Sequence, residues 1–316
     1  MAPAQRSEVD AAIVVPPRLK RGDRVAIVAP SGPVPKAPFE AGLAILRSRY
    51  DVVFDPSIFA RDGYLAGSDD RRIDELHERF GCPDVKAIFC ARGGYGLTRI
   101  LPRLDPRALR MRPKPIVGFS DVTALLWWSA FVAGVRPVHG PVVTQFDKLP
   151  TAQVEWLFAM LEEPTPKLMP AALERLEPRG DGRAVEGPLV GGNLEVVTRL
   201  IGTPTWRPPR GALWLLEDVG ELPYRIDRSL THLRDAGAFA SAVGIGFGDF
   251  TDCESKDGAP LSSAAVLAER AAAFGVPSWR SVPFGHGARN WAWPFGARAR
   301  VDAEARGVTL LEGAVR

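Results

Sequence analysis

The sequence contains few of the residues that build metal and disulfide sites. Of its 316 residues, three are cysteine and four are histidine. Cys82, Cys90 and Cys253 are odd in number and far apart, which fits neither a disulfide framework nor a zinc site. The acidic residues at positions 249–254 have no histidine close to them in the sequence, so they do not form a metal-ligand pattern. They are interpreted as part of a loop. We therefore expect no metal site and a reducing compartment.

Strong charge and long apolar runs are also missing. The formal net charge is +3, and Lys and Arg are scattered without a run of five, so the composition does not indicate a nucleic-acid partner. The longest apolar stretch, residues 124–135, is too short to span a bilayer. Residues 11–15 are too short an apolar region for a secretory signal. These absences predict a cytoplasmic protein without a membrane partner.

The residues that are present predict an α/β protein of about two domains. Apolar residues make up 46% of the chain, which supplies a sizeable core. In the first half, apolar strands without period-two alternation follow one another with helices between them, and this pattern is typical of a parallel sheet. The predicted segments are a loose arm (1–18), an α/β domain (19–163), a Pro- and Gly-rich linker (164–186) and a second mixed domain (187–316).

A serine at the end of one predicted strand is the first candidate for chemistry. Residues 118–121 read Gly-Phe-Ser-Asp, so Ser120 lies where an apolar strand passes directly into a helix. The free N–H groups at a helix N-terminus favour a developing negative charge, which a nucleophilic serine requires. Val122 replaces the last glycine of the Gly-x-Ser-x-Gly elbow. The alternative is that Ser120 is an ordinary helix N-cap.

A nucleophilic serine needs a base, and two of the four histidines are candidates. His77 and His232 lie on charged helices and are interpreted as surface residues. His139 and His286 are flanked by glycine, which would let an imidazole reach a cleft. Either could instead be a turn histidine that is bonded to the backbone.

A carboxylate and a glycine loop complete the candidate set. Glu217 and Asp218 follow an apolar strand, where one of them could orient an imidazole, although acids in such a place also begin solvated loops. The glycine loop 93–96 lacks the spacing of phosphate-binding and dinucleotide-binding motifs. It is expected to expose backbone N–H groups beside Ser120.

Seven ordered blocks give the chain a resemblance to a known family. They are VAIVAPSG (25–32), ARGGYG (91–96), VGFSDVT (117–123), HGP (139–141), GGNL (191–194), LEDVGE (216–221) and GHG (285–287). In order and spacing the chain resembles the serine LD-carboxypeptidases, also called murein tetrapeptide carboxypeptidases, to which the microcin self-immunity peptidases are related. The likeness extends over about residues 19–311.

The resemblance implies roles for particular residues. Ser120 would be the nucleophile, His286 the general base and Glu217 the group that orients it. The implied fold is an N-terminal flavodoxin-like domain and a smaller, β-rich, swivelling C-terminal domain, with the active site between them and segment 164–186 as a lid. No metal or organic cofactor is implied, and family members are often homodimers.

The implied reaction is hydrolysis of the bond between meso-diaminopimelate and D-alanine in murein tetrapeptides during peptidoglycan recycling. Backbone N–H groups would hold the oxyanion. Those in question belong to Asp121 and to Gly93 or Gly94. Three further residues are candidate substrate contacts, with Arg92 the candidate for a terminal carboxylate. They are Arg92, Asn193 and His139.

Two departures from the family pattern leave alternatives open. Trp291, Trp293 and Phe295 follow the candidate base, and they either belong to the core or form a wall of the substrate pocket. The self-immunity branch stacks a nucleobase on an aromatic residue in its catalytic loop, whereas segment 164–186 contains no aromatic residue. A self-immunity peptidase for an aminoacyl-nucleotide is therefore the second hypothesis. A non-catalytic murein-binding module and a nucleotide-binding protein are further alternatives.

Overall fold

The computed structural model describes residues 13–165, 167–176, 184–255, 261–302 and 307–316. The strands of the first half are β1 (Arg24–Val28), β2 (Asp51–Val53), β3 (Ala87–Cys90), β4 (Ile116–Gly118) and β5 (Val138–His139). The helices of this half are α1 (Lys36–Arg47), α2 (Asp69–Gly81), α3 (Leu97–Ile100), α4 (Arg107–Met111), α5 (Thr123–Trp128) and α6 (Thr151–Glu162).

The five strands of the first half form a parallel sheet in the order β5-β4-β3-β1-β2. All four residues of β3 are buried, which explains why its sequence is a continuous apolar run. This strand order is that of flavodoxin-like folds, in which ligands bind beyond the carboxyl ends of the strands. The expected fold of the first domain is confirmed.

Local signals in the sequence set several helix ends. The Ser68 side chain accepts a hydrogen bond from the Arg71 N–H at the start of α2, as a Ser N-cap does. Helix α5 continues as a π-helical turn, Ser129–Ala133, and stops at Gly134, whose φ of 69° is left-handed. Glycine adopts this conformation without strain, so it ends helices.

The second half builds a larger, mixed sheet. The strands of this half of the chain are β6 (Leu168–Pro170), β7 (Glu174–Arg175), β8 (Val185–Asn193), β9 (Leu213–Val219), β10 (Gly244–Thr251), β11 (Ser278–Arg280), β12 (Trp293–Pro294), β13 (Arg298–Val301) and β14 (Gly307–Leu310), of which all but β12 belong to this sheet. Its helices are α7 (Leu194–Leu200), α8 (Pro223–Asp235) and α9 (Ser263–Phe274). The strand order is β6-β14-β13-β8-β9-β10-β11-β7, with β8 to β11 parallel and the outer strands antiparallel. The β-rich second domain is thus present.

Many contacts join the halves, among them a strand pair and an indole hydrogen bond. Strand β12 comes from the second half of the chain but joins the first sheet, where it pairs antiparallel with β5 and sets Trp293 opposite His139. The Trp127 indole N–H on α5 donates a hydrogen bond of 2.9 Å to the Gly191 carbonyl on β8. The Trp127, His139 and Trp293 side chains are buried, so both contacts belong to the packing between the two halves.

The N-terminal segment differs from the expected loose arm in its described part. The Val14 N–H donates to the Gly134 carbonyl (2.8 Å), and the Arg18 N–H donates to the carbonyl of Arg316 (3.0 Å). The arm pairs with chain far away in the sequence, which a local pattern does not reveal. Residues 1–12 lie outside the described residues.

Segment 164–186, expected to be a linker, contributes strands to the second sheet. Strand β6 pairs with β14, and β7 pairs with β11, so both are edge strands. Proline is compatible with an edge strand because one side of that strand needs no N–H donor. Residues 166 and 177–183 lie outside the described residues. No helix in the described ranges is long and apolar enough to cross a membrane.

Candidate active site

Ser120 stands where β4 ends and the chain turns sharply. It begins a 3-10 turn, Ser120–Val122, that leads into α5. Its φ of 64° is left-handed, which is strained for a residue with a Cβ atom and clusters at functional sites. Phe119 and Val122 hold the cap positions of the two helical segments, so the serine hydroxyl does not cap a helix. It is available for another partner.

That partner is His286, which Glu217 holds from the other side. The Ser120 Oγ lies 3.0 Å from His286 Nε2, and His286 Nδ1 lies 2.7 Å from Glu217 Oε2. Because a carboxylate only accepts hydrogen bonds, Nδ1 carries a proton and Nε2 is free to accept the serine proton. The two distances form one chain of hydrogen bonds, which is the arrangement that a serine nucleophile, its base and an orienting acid require.

The elements that carry the triad come from both halves. Ser120 follows β4 and Glu217 lies on β9, while His286 is on the loop between β11 and β12. Gly285, at φ 140°, precedes the histidine, and a Cβ atom there would lie 3.1 Å from Glu217 Oε2. A glycine is therefore needed for the loop to approach the carboxylate this closely.

The charge of Glu217 tunes the base. Burial lowers the pKa of His286, but the hydrogen bond and negative charge of Glu217 outweigh it, so the pKa lies above the ordinary value. The Glu217 side chain is fully buried. In so dry a place the carboxylate stabilises an imidazolium strongly.

Asn193 is hydrogen-bonded to Glu217 and to the neighbouring Asp218. Its Nδ2 group donates to Glu217 Oε1 (3.3 Å) and to Asp218 Oδ1 (2.9 Å), and its Oδ1 accepts from the Val196 N–H at the start of α7 (3.1 Å). These bonds engage both amide hydrogens and the oxygen of a buried side chain. The structure thus corrects the prediction of a substrate contact at Asn193: the residue positions the carboxylates instead.

Asp218 is a second buried acid beside Glu217. Burial and the neighbouring Glu217 charge raise the pKa of Asp218 to about 7. Its Oδ2 accepts from the Glu195 N–H (3.2 Å) and its Oδ1 from its neighbour Val219 (2.9 Å). The acid therefore ties the end of β9 to the first turn of α7.

The prediction that His139 contacts the substrate is also corrected by the structure. It is fully buried, and its ring stacks on Trp293 at 4.7 Å and packs edge-on against Phe284 at 5.1 Å. Burial lowers the pKa of His139 to about 3, so the ring is neutral. Trp293 and Phe295 are buried in the same cluster, so these two residues belong to the core and not to a pocket wall. Trp291 is half-buried and packs edge-on against Trp156 at 5.3 Å.

The glycine loop touches the nucleophile. A Cβ atom on Gly93 would lie 2.8 Å from Ser120 Cβ and 2.9 Å from its Oγ. Among the described residues, no backbone partner is found for the N–H groups of Gly93, Gly94 and Asp121. The Asp121 carboxylate accepts from the Leu97 N–H (3.1 Å) and so fixes the end of the loop. Free N–H groups beside a serine are what an oxyanion hole requires.

Two clefts flank this site. One, of about 470 Å³, is bordered by the glycine loop and includes Arg92. The Arg92 side chain is exposed and donates to the Pro33 carbonyl at 2.7 Å. The other, of about 370 Å³, lies beside Gly287 and includes the ion pair between Arg289 and Asp249 (2.5 Å). Within the described ranges, no cluster of three or more His, Cys, Asp or Glu residues could hold a metal ion.

Comparison with known proteins gives the same family for both halves. The model of the LD-carboxypeptidase N-terminal domain matches residues 25–140, and that of the LD-carboxypeptidase C-terminal domain matches residues 186–301. The murein tetrapeptide carboxypeptidase of Pseudomonas aeruginosa is 38% identical over 290 residues, which cover 88% of this chain and 93% of that protein.

Solved structures agree with the fold. The crystal structure of muramoyltetrapeptide carboxypeptidase from Oxalobacter formigenes is similar with a TM-score of 0.80 at 29% identity, over 92% of this chain and 98% of the other. The microcin C7 self-immunity protein MccF in complex with aspartyl sulfamoyl adenosine has a TM-score of 0.85 at 22% identity, over 96% of this chain and 100% of the other. At that identity the likeness to MccF concerns the fold alone.

Proposed function

Because the chain belongs to the LD-carboxypeptidase family, we propose that it is a serine carboxypeptidase of peptidoglycan recycling. Its substrate is the murein tetrapeptide, and the bond it hydrolyses joins meso-diaminopimelate to the terminal D-alanine. The observation that carries the proposal is the hydrogen-bonded chain from Ser120 through His286 to Glu217, at 3.0 and 2.7 Å.

The first half-reaction forms an acyl-enzyme. Ser120 Oγ attacks the carbonyl carbon of diaminopimelate while His286 Nε2 accepts the hydroxyl proton. The carbonyl oxygen becomes an oxyanion, which the N–H groups of Asp121 and of Gly93 or Gly94 stabilise. The carbon–nitrogen bond then breaks, and His286 gives its proton to the leaving amine of D-alanine.

The second half-reaction restores the enzyme. A water molecule gives a proton to His286 Nε2 and attacks the ester carbon, and the same oxyanion hole holds the new negative charge. When the ester bond breaks, the proton passes from His286 to Ser120 Oγ. In both steps Glu217 accepts the hydrogen bond of the His286 Nδ1–H group, which orients the ring and stabilises the imidazolium. Asn193 holds the Glu217 carboxylate in place.

Recognition of a chain end needs a positive group. Arg92 is exposed, lies next to the glycine loop and has N–H groups to spare beyond its bond to Pro33. We assign it to a carboxylate of the substrate, with the terminal D-alanine as the first candidate.

Three further expectations belong to the same proposal. The domains are taken as 19–163 and 187–316, the protein as a homodimer and its location as the cytoplasm. Size-exclusion chromatography with light scattering tests the dimer, and fractionation of cells that express the chain tests the location. Limited proteolysis at segment 164–186 tests the boundary.

The decisive experiment is mass spectrometry of L-Ala-D-Glu-meso-diaminopimelate-D-Ala after incubation with the purified protein. Wild type should remove one alanine, and Ser120→Ala should remove none. Ser48→Ala is the matched control, because that exposed hydroxyl has the Ile45 carbonyl as its one partner among the described residues. Retained activity in Ser120→Ala would refute the assignment of the nucleophile.

The same assay separates the remaining hypotheses. Cleavage of an aminoacyl sulfamoyl adenosine but not of the tetrapeptide would favour a self-immunity peptidase. Failure of a serine-directed phosphonate to label Ser120 would favour a binding module. Heat stabilisation by nucleotides alone would favour a nucleotide-binding protein.

A further inference from the structure

The larger cleft lies at the switch point of the first sheet. The chain passes from β1 outward to β2 and then returns to the other side of β1 as β3, so the loops after β1 and β3 diverge. Crevices at this point bind ligands in doubly wound folds. Here Arg61, Tyr64, Arg92 and Tyr95 border a cleft of about 470 Å³, which we name the tyrosine–arginine cleft.

The cleft is bordered by the glycine loop that contacts Ser120. Gly32, which lines the cleft, donates its N–H to the Gly93 carbonyl at 3.0 Å. Gly93 is so near Ser120 that a Cβ atom would lie 2.9 Å from the Ser120 Oγ. A ligand bound between the β1 loop and the glycine loop would therefore contact the two neighbours of Gly93, the residue that packs against Ser120.

Two guanidinium groups face this space without an acidic partner. Arg92 donates to the Pro33 carbonyl (2.7 Å) and Arg61 to the Gly63 carbonyl (3.1 Å). Neither forms an ion pair with a carboxylate of the described chain, although most other arginines there do. Each guanidinium has five N–H donors, so backbone carbonyls orient both groups and leave donors for a ligand.

The aromatic residues of the cleft are exposed but fixed. Tyr64 is 64% exposed and Tyr95 is 48% exposed, and their rings meet edge-on with centroids 5.6 Å apart. A hydrogen-bonded turn carries Tyr64, since Asp62 and Leu65 exchange backbone bonds of 3.0 and 2.9 Å. Exposed tyrosines in a cleft offer apolar contact area with little entropy to lose.

We propose that the tyrosine–arginine cleft binds the anionic part of the peptide substrate, with Arg61 and Arg92 on carboxylates and Tyr64 and Tyr95 against the hydrocarbon between them. The inference rests on the proposed function. The volume falls in the range of roughly 300–1,000 Å³ that encloses drug-sized ligands, which is more than one alanine fills. A murein tetrapeptide carries three carboxylates, on D-glutamate, diaminopimelate and D-alanine. Each of the two arginines can therefore bind a different carboxylate.

The test combines arginine variants with amidated substrates. The proteins are wild type, Arg61→Gln, Arg92→Gln and the control Arg112→Gln, an exposed arginine that also donates to a backbone carbonyl (Gly81, 2.7 Å). The peptides are the free tetrapeptide and its three monoamides, one for each carboxylate. KM and kcat are measured for cleavage, and Kd is measured by calorimetry in the Ser120→Ala background.

The expected result is selective. Arg61→Gln and Arg92→Gln raise KM and Kd for the free tetrapeptide by roughly 10- to 100-fold, the range of a charged hydrogen bond, whereas Arg112→Gln changes neither. For each cleft arginine, the variant and wild type should have the same KM and Kd for one of the three monoamides. The group that is amidated in that peptide is the carboxylate that the arginine binds.

Two outcomes overturn the inference. If wild type cleaves the tetrapeptide but both cleft variants match Arg112→Gln, the cleft does not bind the substrate and the proposed function stands. If wild type does not cleave the tetrapeptide and Ser120→Ala does not bind it, both proposals are wrong.

Discussion

Replacing Gly93 with alanine is expected to slow the chemical step without removing any catalytic group. The new Cβ atom would lie 2.8 Å from Ser120 Cβ and 2.9 Å from its Oγ, whereas ordinary contacts are 3.4–4 Å. The serine must therefore move by about 0.5 Å, and it stands in a strained turn with φ 64°. Misplacement of a reacting atom by about 1 Å costs on the order of 100-fold in rate, so we expect kcat to fall by about 10- to 100-fold.

The assay is release of D-alanine from the tetrapeptide, with the rate of labelling by a serine-directed phosphonate as a second readout. Both should fall in parallel, because both depend on Ser120 Oγ. Thermal unfolding should show a loss of about 1–3 kcal/mol, as for other overpacked sites. The backbone N–H of residue 93 is retained, so the effect is steric and not a loss of an oxyanion donor.

Gly81→Ala is the matched control, since nothing lies within 4 Å of a Cβ atom there. It should leave kcat, KM and labelling unchanged. Wild-type kcat in a folded Gly93→Ala protein would refute the view that the glycine loop and the serine are in contact.

The remaining predictions concern the acids behind the base. Glu217→Gln should lower kcat by about 10³- to 10⁴-fold, measured under steady-state conditions. Because Glu217 holds the pKa of His286 above its ordinary value, and the base must be neutral, the acidic limb of the kcat/KM profile should lie above about pH 6.5 and move to lower pH in Glu217→Gln. Asn193→Ala should reduce kcat by about 10- to 100-fold with KM little changed, because the residue orients Glu217 and does not contact substrate; a change in KM alone would contradict this. The raised pKa of Asp218 means that the folded state binds the proton more tightly than the unfolded state, so this group lowers the free energy of unfolding as pH rises from about 4 to 7. Urea denaturation across that range should show a shallower decline in Asp218→Asn, and an identical decline would exclude the titration.

Elements with a strong local signal could be predicted from sequence. Helix α2 begins after Ser68 and α9 after Ser262, each with the serine side chain accepting from an N–H one turn later. The parallel sheet followed from continuous apolar runs such as β3. These features depend on neighbours in the chain, which a single sequence displays.

Contacts between distant segments could not be predicted in the same way. Asn193 was expected to be a substrate contact. Its actual partner follows from the register of β8 against β9, which sets Asn193 opposite Glu217. Strand β12 has two residues, too few for a periodic pattern, so neither its pairing with β5 nor the burial of His139 had a signal in the sequence.

The pairing of β12 with β5 explains how Ser120 and His286, which follow strands of two different sheets, stay within hydrogen-bond distance. Ser120 follows β4 of the first sheet, and the loop with His286 leaves the second sheet after β11. That loop ends in β12, which pairs with β5, the neighbour of β4. Trp293 then stacks on His139 at 4.7 Å, so the chain after His286 is fixed beside the strand that precedes Ser120. A neutral histidine suits this place because burial there penalises charge and favours a flat ring against the indole. The Ser120–His286 distance of 3.0 Å is thus set by a strand that belongs to one domain in sequence and to the other in space.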